Sequence, residues 1–87
     1  MKDRKVVVGL PQDMERKVAV MVQVASQFDS RIHLITGNKK VNAKSIMGMM
    51  TIPLNSGDEL VVEAEGSDEE TAVAVISDFL ETGKHAN

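Results

Sequence analysis

Arg31 to Asn42 reads RIHLITGNKKVN, and this stretch decides the fold class. Ile32 and Leu34 alternate with Arg31 and His33, the period-2 pattern of a strand with one face buried. Gly37-Asn38 follows at once. Glycine takes a positive φ freely and asparagine tolerates it, so the pair predicts a two-residue hairpin turn. Lys39 to Asn42 is then the returning strand, and the centre of the chain is antiparallel sheet.

Working towards the N-terminus, Val18, Met21, Val22, Ala25 and Phe28 fall at i, i+3, i+4, i+7 and i+10. That spacing predicts one buried face of a helix. Pro11-Gln12-Asp13 is a break with Asp13 as the N-cap, and Asp29-Ser30 ends the helix. Lys17, Gln23, Ser26 and Gln27 lie away from the buried face. Val20 and Val24 also fall off it, one turn apart, and two readings stand: an exposed apolar strip, or a flank of the core. Lys5 to Val8 is a short β-branched run and predicts the first strand.

Working towards the C-terminus, Ser45 to Met50 predicts a brief, Met-rich helix. Pro53 cannot continue it and biases Ile52 towards an extended conformation. Ser56-Gly57-Asp58 is a turn, and Glu59 to Glu65 (ELVVEAE) is a strand bounded by Gly66. Ser67-Asp68-Glu69-Glu70 fits a capping box, with the Ser67 hydroxyl accepting the Glu70 N–H and the Glu70 side chain reaching back. Ala72, Val73, Ile76, Phe79 and Leu80 form the buried stripe of a last helix, and Gly83 is its C′ residue. The order strand, helix, strand, strand, short helix, strand, helix predicts an α+β open-faced sandwich: a four-stranded, mainly antiparallel sheet covered on one face by two long helices and one short helix, in a single domain over residues 1–87.

Composition narrows the function. The 87 residues carry a net charge of −3, no cysteine, and Phe28 and Phe79 as the sole aromatics. This excludes a disulfide framework, a thiolate metal site, an overall basic field for nucleic acid and an aromatic platform for stacking bases. No apolar run approaches the roughly 20 residues that span a bilayer, and the charged start with its three-residue apolar stretch is too short for a signal peptide. A cytoplasmic protein that binds neither DNA nor membrane is expected, with no cofactor. His33 points outward on a strand and His85 sits in the tail. Neither has a partner at ligand spacing, so no metal site is expected. Ser45 reads locally as an N-cap serine.

VNAKSIMGMM (Val41–Met50) is a specific string, and it closely resembles the regulatory segment of HPr, the histidine-containing phosphocarrier of the bacterial sugar phosphotransferase system. MVQVASQFDSRIHL (Met21–Leu34) and GSDEETAVAVISDFLE (Gly66–Glu81) resemble that family's first helix with its second strand, and its last helix. The resemblance implies the same open-faced sandwich. It also locates a departure. The family's phosphocarrier histidine opens the first helix in a G-I-H-A-R-P-A context. Counting back without a gap, Met14 stands at the histidine position, Arg16 matches the arginine and Lys17 replaces the proline. A thioether has no exchangeable proton and little nucleophilicity toward phosphorus, whereas a neutral imidazole has both properties. Asp13 and Glu15 place two carboxylates beside the spot, and these repel incoming phosphate. The carrier step is therefore expected to be lost.

The same resemblance gives Ser45 a second reading. The matching serine is phosphorylated by an ATP-dependent kinase in many Gram-positive members, and residues matching Ile46, Met47 and Met50 contact partner proteins. Lys44, Arg16 and Lys17 could flank the phosphate, and Val20 could extend the contact surface. A helix this short cannot bury all of Ile46, Met47, Met49 and Met50. Some must fill the core, and the rest suit an adaptable surface. The chain resembles the Crh-like members, which lack the carrier histidine and keep the serine. This implies an HPr kinase/phosphorylase and a LacI-type catabolite control regulator as partners, although those members usually keep A-R-P-A where this chain has Glu15-Arg16-Lys17-Val18. A phosphotransferase component using an unrecognised acceptor is the alternative, and a repurposed domain that is never phosphorylated is a third. A monomer or a weak homodimer fits, since the short first strand could be exchanged between chains.

Overall fold

The computed structural model describes residues 1–11 and 16–84. Four strands and three helices follow in the order β1 (Lys2–Val7), α1 (Lys17–Ala25), β2 (Arg31–Thr36), β3 (Lys39–Asn42), α2 (Ile46–Met49), β4 (Glu59–Glu65) and α3 (Glu69–Thr82). The strands form one sheet in the order β1-β4-β2-β3, and every neighbouring pair is antiparallel. β1 and β2 thus run the same way on either side of β4, and the chain from β1 through α1 to β2 steps across it.

Register explains the core. Ile32 and Leu34 of β2 lie opposite Ala64 and Val62 of β4, Leu34 also lies opposite Val41 of β3, and Val6 of β1 faces Leu60. All of these side chains are buried. Because side chains alternate across a strand, they share the sheet face that the helices cover. The opposite face carries Lys5, Val61, Glu63, His33, Ile35 and Lys40, which are half-buried or exposed. His33 sits there between Asn42 and Glu63, outward as its alternation predicted.

The helices complete the apolar layer with Met21, Val24 and Ala25 from α1, Met49 from α2, and Ala72, Val73, Ile76, Phe79 and Leu80 from α3. All five residues of the predicted last stripe are buried, and Gly83 terminates α3 at φ 79, as a C′ glycine does. Val24 is core, which removes the exposed-strip reading for that residue, while Val20 is half-buried and packs against the core. Predicted face residues Val18, Val22 and Phe28 are half-buried at its margin.

Three local details differ from the sequence expectation. β1 begins at Lys2, earlier than Lys5, because pairing with Ala64, Glu63 and Val62 holds three polar residues in the ladder. α1 ends at Ala25 and leaves Phe28 in the following turn, where its N–H donates to the Ala25 carbonyl at 3.2 Å. The Asp13 cap lies outside the described residues. The capping contact at α3 is shifted by one residue: the Gly66 N–H donates to Glu69 Oε1 at 3.1 Å, and Ser67 caps nothing. Asp68 is instead spent on a distant turn. Its carboxylate accepts the N–H groups of Asp29 and Ser30, each at 2.9 Å, and the Ser30 hydroxyl.

Candidate functional site at Ser45 and the short helix

Ser45 has an extended backbone (φ −106, ψ 116), and its Oγ accepts the Gly48 N–H at 3.1 Å. This is the N-cap geometry its position predicted. The Ser45 carbonyl accepts the Met49 N–H at 2.9 Å, and Thr51 Oγ1 donates to the Gly48 carbonyl at 2.6 Å at the other end. Both ends of a four-residue helix are thereby satisfied.

Such a helix has no stability of its own in water, so its surroundings must hold it. Met49 is fully buried, and Ile52 and Leu54 anchor the segment that follows. Lysines add a polar clamp. Lys39 Nζ donates to the Thr51 carbonyl and Lys17 Nζ to the Leu54 carbonyl, both at 3.0 Å, placing cations where carbonyls beyond a helix C-terminus lack partners. Lys44 Nζ donates to the Phe28 carbonyl at 2.5 Å, and its N–H donates to Asn42 Oδ1 at 2.8 Å.

The predicted site residues therefore separate. Ser45, Ile46, Met47 and Met50 come together on one exposed turn. Lys44 is adjacent but tied to the turn after α1. Lys17 is tied to the segment after α2, which links the start of α1 to this site. Arg16 is exposed at the N-cap of α1 in the left-handed region (φ 56), with no side-chain cap. Met14 lies outside the described residues. The lysine clamps escape sequence reasoning because they are contacts to main-chain carbonyls across 12 to 37 residues, which leave no local pattern.

The surface chemistry is plain. Of the four apolar residues flagged around Ser45, Met49 is the core anchor at 0% exposure, while Ile46, Met47 and Met50 are 48%, 81% and 71% exposed. Beside them are the Ser45 hydroxyl at the start of the helix and the Thr51 hydroxyl at its end. Among the described residues, no group of three His, Cys, Asp or Glu could hold a metal ion, and no helix is long and apolar enough to cross a membrane.

The open-faced sandwich thus offers, on this turn, a capping hydroxyl beside an exposed apolar helix surface. Residues 2–82 match the family model described as PTS HPr component phosphorylation site, and the chain belongs to the HPr family. It is 39% identical to the HPr-like protein Crh of Halalkalibacterium halodurans over 93% of this chain and 98% of that one. Among solved structures, HPr-C-His of Thermoanaerobacter tengcongensis superposes with a TM-score of 0.84 at 40% identity, covering 93% of this chain and 92% of the other. Crh of Bacillus subtilis superposes with a TM-score of 0.74 at 34% identity, covering 94% and 90%. That protein is described as a catabolite repression protein whose domains swap into an intertwined dimer. The family consists of phosphocarrier and regulatory proteins, not enzymes.

Proposed function

We propose that this chain, as a single HPr-like domain over residues 1–87, is a Crh-like regulatory protein of bacterial carbon catabolite control acting in the cytoplasm. In this reading an HPr kinase/phosphorylase transfers a phosphoryl group from ATP to the Ser45 hydroxyl. The phosphorylated domain then binds a protein partner, of the LacI-type regulator class, through Ile46, Met47 and Met50. The single observation that carries this is the seating of Ser45 at the cap of a docked helix whose outer side is apolar and exposed.

The geometry supports a switch of charge with the fold retained. A phosphate adds about −1.5 to −2 charges and three acceptor oxygens. At this cap it faces the positive end of the helix, so α2 gains local stabilisation. Met49, Ile52, Leu54 and the lysine contacts hold the segment independently of Ser45. Lys44 and Lys17 already donate to carbonyls, so either must leave or share its partner to approach the phosphate. Arg16, exposed at the start of α1, is the third cation given that role in this reading. Val20, half-buried at the edge of α1, contributes at most the margin of the partner surface.

Histidine phosphocarriage is absent in this reading, because Met14 stands at the carrier position. The family match itself favours keeping a second reading, a phosphotransferase component with another acceptor. Incubation with HPr kinase and ATP, followed by intact mass, tests the first. The parent gains one phosphoryl group and Ser45→Ala gains none. An unchanged parent mass would refute the serine switch.

A further inference from the structure

With no cysteine in the chain, an oxidant of the peroxide class meets sulfur only as methionine thioether. Among the described residues, burial divides these thioethers sharply. Met21 and Met49 are 0% exposed, whereas Met47 and Met50 are exposed on the turn that begins at Ser45. Met49 and Met50 are neighbours in sequence, yet one is sealed in the core and the other faces solvent. Met1 is also exposed, on β1's leading end and away from this turn.

We propose that Met47 and Met50 are an oxidation-sensitive modification site that controls the apolar surface beside Ser45. The reaction balances without a cofactor. The peroxide O–O bond breaks, one oxygen bonds to the methionine sulfur as a sulfoxide, and the other leaves as water. Sulfur loses two electrons and the peroxide gains them. Each sulfoxide replaces a flexible apolar group with a polar, chiral one. A partner that buries Met47 and Met50 must then desolvate two strong acceptors that have no donor opposite. Ile46 alone remains apolar, and the patch loses most of its character. The core is untouched because Met21 and Met49 are inaccessible. Methionine sulfoxide reductases, one for each epimer, reverse the change with two electrons from a thiol reductant, and the sulfoxide oxygen leaves as water. The consequence for partner engagement rests on the reading that Ser45 is the kinase's substrate, which brings the kinase onto this turn; the selectivity of oxidation does not.

The test treats the full chain with dilute hydrogen peroxide, removes the excess with catalase, and maps oxygen addition by peptide mass. Met47 and Met50 oxidise early, with Met1, while Met21 and Met49 stay reduced until the protein is unfolded. Retention on a hydrophobic-interaction column falls further for the oxidised parent than for oxidised Met47→Leu/Met50→Leu, in which Met1 still gains oxygen. The initial rate of kinase phosphorylation of Ser45 falls several-fold on oxidation, returns with the reductases, and is peroxide-insensitive in the double variant. Equal oxidation of Met49 and Met50, or an equal fall in column retention for the parent and the double variant, overturns the site. An unchanged kinase rate at full oxidation overturns its control of partner engagement. A parent that the kinase never phosphorylates refutes the Ser45 reading instead, and the peptide map and column still decide the oxidation site.

Discussion

Ser45 and Ser77 show how the same hydroxyl is placed to opposite effect. The Ser45 Oγ caps α2, so Ser45→Ala removes an acceptor from a helix with few of its own bonds. Denaturant unfolding is expected to show a loss of about 1 kcal/mol, the usual cost of an N-cap deletion. Ser77 is fully buried in α3, and its Oγ finds no hydrogen-bond partner among the described residues. A hydroxyl desolvated without compensation costs about 1–3 kcal/mol. Ser77→Ala removes that penalty and leaves almost no cavity. The variant should be more stable than the parent in the same experiment, and a lower midpoint would show that the hydroxyl is satisfied in solution.

Elements are held together by contacts that their own sequences do not announce. Asp68 ties the start of α3 to the turn before β2. The Ser30 hydroxyl first, and then the Asp29 and Ser30 N–H groups, hold its carboxyl below the ordinary value of 3.8. A carboxylate with a lowered folded-state pKa stabilises the fold fully above its unfolded value, and the contribution fades as pH falls through the lower folded one. Asp68→Asn should therefore be less stable than the parent at neutral pH, with the gap closing as pH drops below 3.8. A gap independent of pH would show that the charge is not what matters. At the other end of α3, a Cβ on Gly9 would lie 2.2 Å from the Glu81 carbonyl oxygen, while the Gly9 N–H donates to the Leu80 carbonyl at 2.8 Å. Gly9→Ala must push the strand exit off the helix, and a loss of about 1–3 kcal/mol is expected by thermal or denaturant melting. The elements themselves were legible: the hairpin through Gly37-Asn38, β4 through ELVVEAE and α3 through its stripe all express a period that chemistry enforces locally. Asp68 was legible only as one acid in a capping box. Its true partners lie 38 and 39 residues away, and only the folded chain brings them together. The start of α1 was equally hidden, since Arg16 enters the helix from a left-handed conformation that no side-chain preference signals.

At the scale of the whole molecule, the strand order β1-β4-β2-β3 is set by long-range pairing, whereas the layer it builds was implied by the alternation of helix and strand. That layer leaves one sheet face open and puts α2 at the margin of the other, with Met49 as root and Met47 and Met50 as crown. The candidate site was readable as a serine among methionines. Which methionine anchors the helix was not, because all of them fit a helical period over so short a run. Family membership then poses the question that geometry at Ser45 leaves standing: whether a chain with methionine at position 14 relays phosphoryl groups at all. Mixing it with enzyme I and phosphoenolpyruvate, and assaying for an acid-labile phosphoryl adduct, tests this most directly. The account predicts no adduct, while a histidine-bearing HPr in the parallel tube is labelled. An adduct on this chain would contradict it and make the protein a carrier through another acceptor.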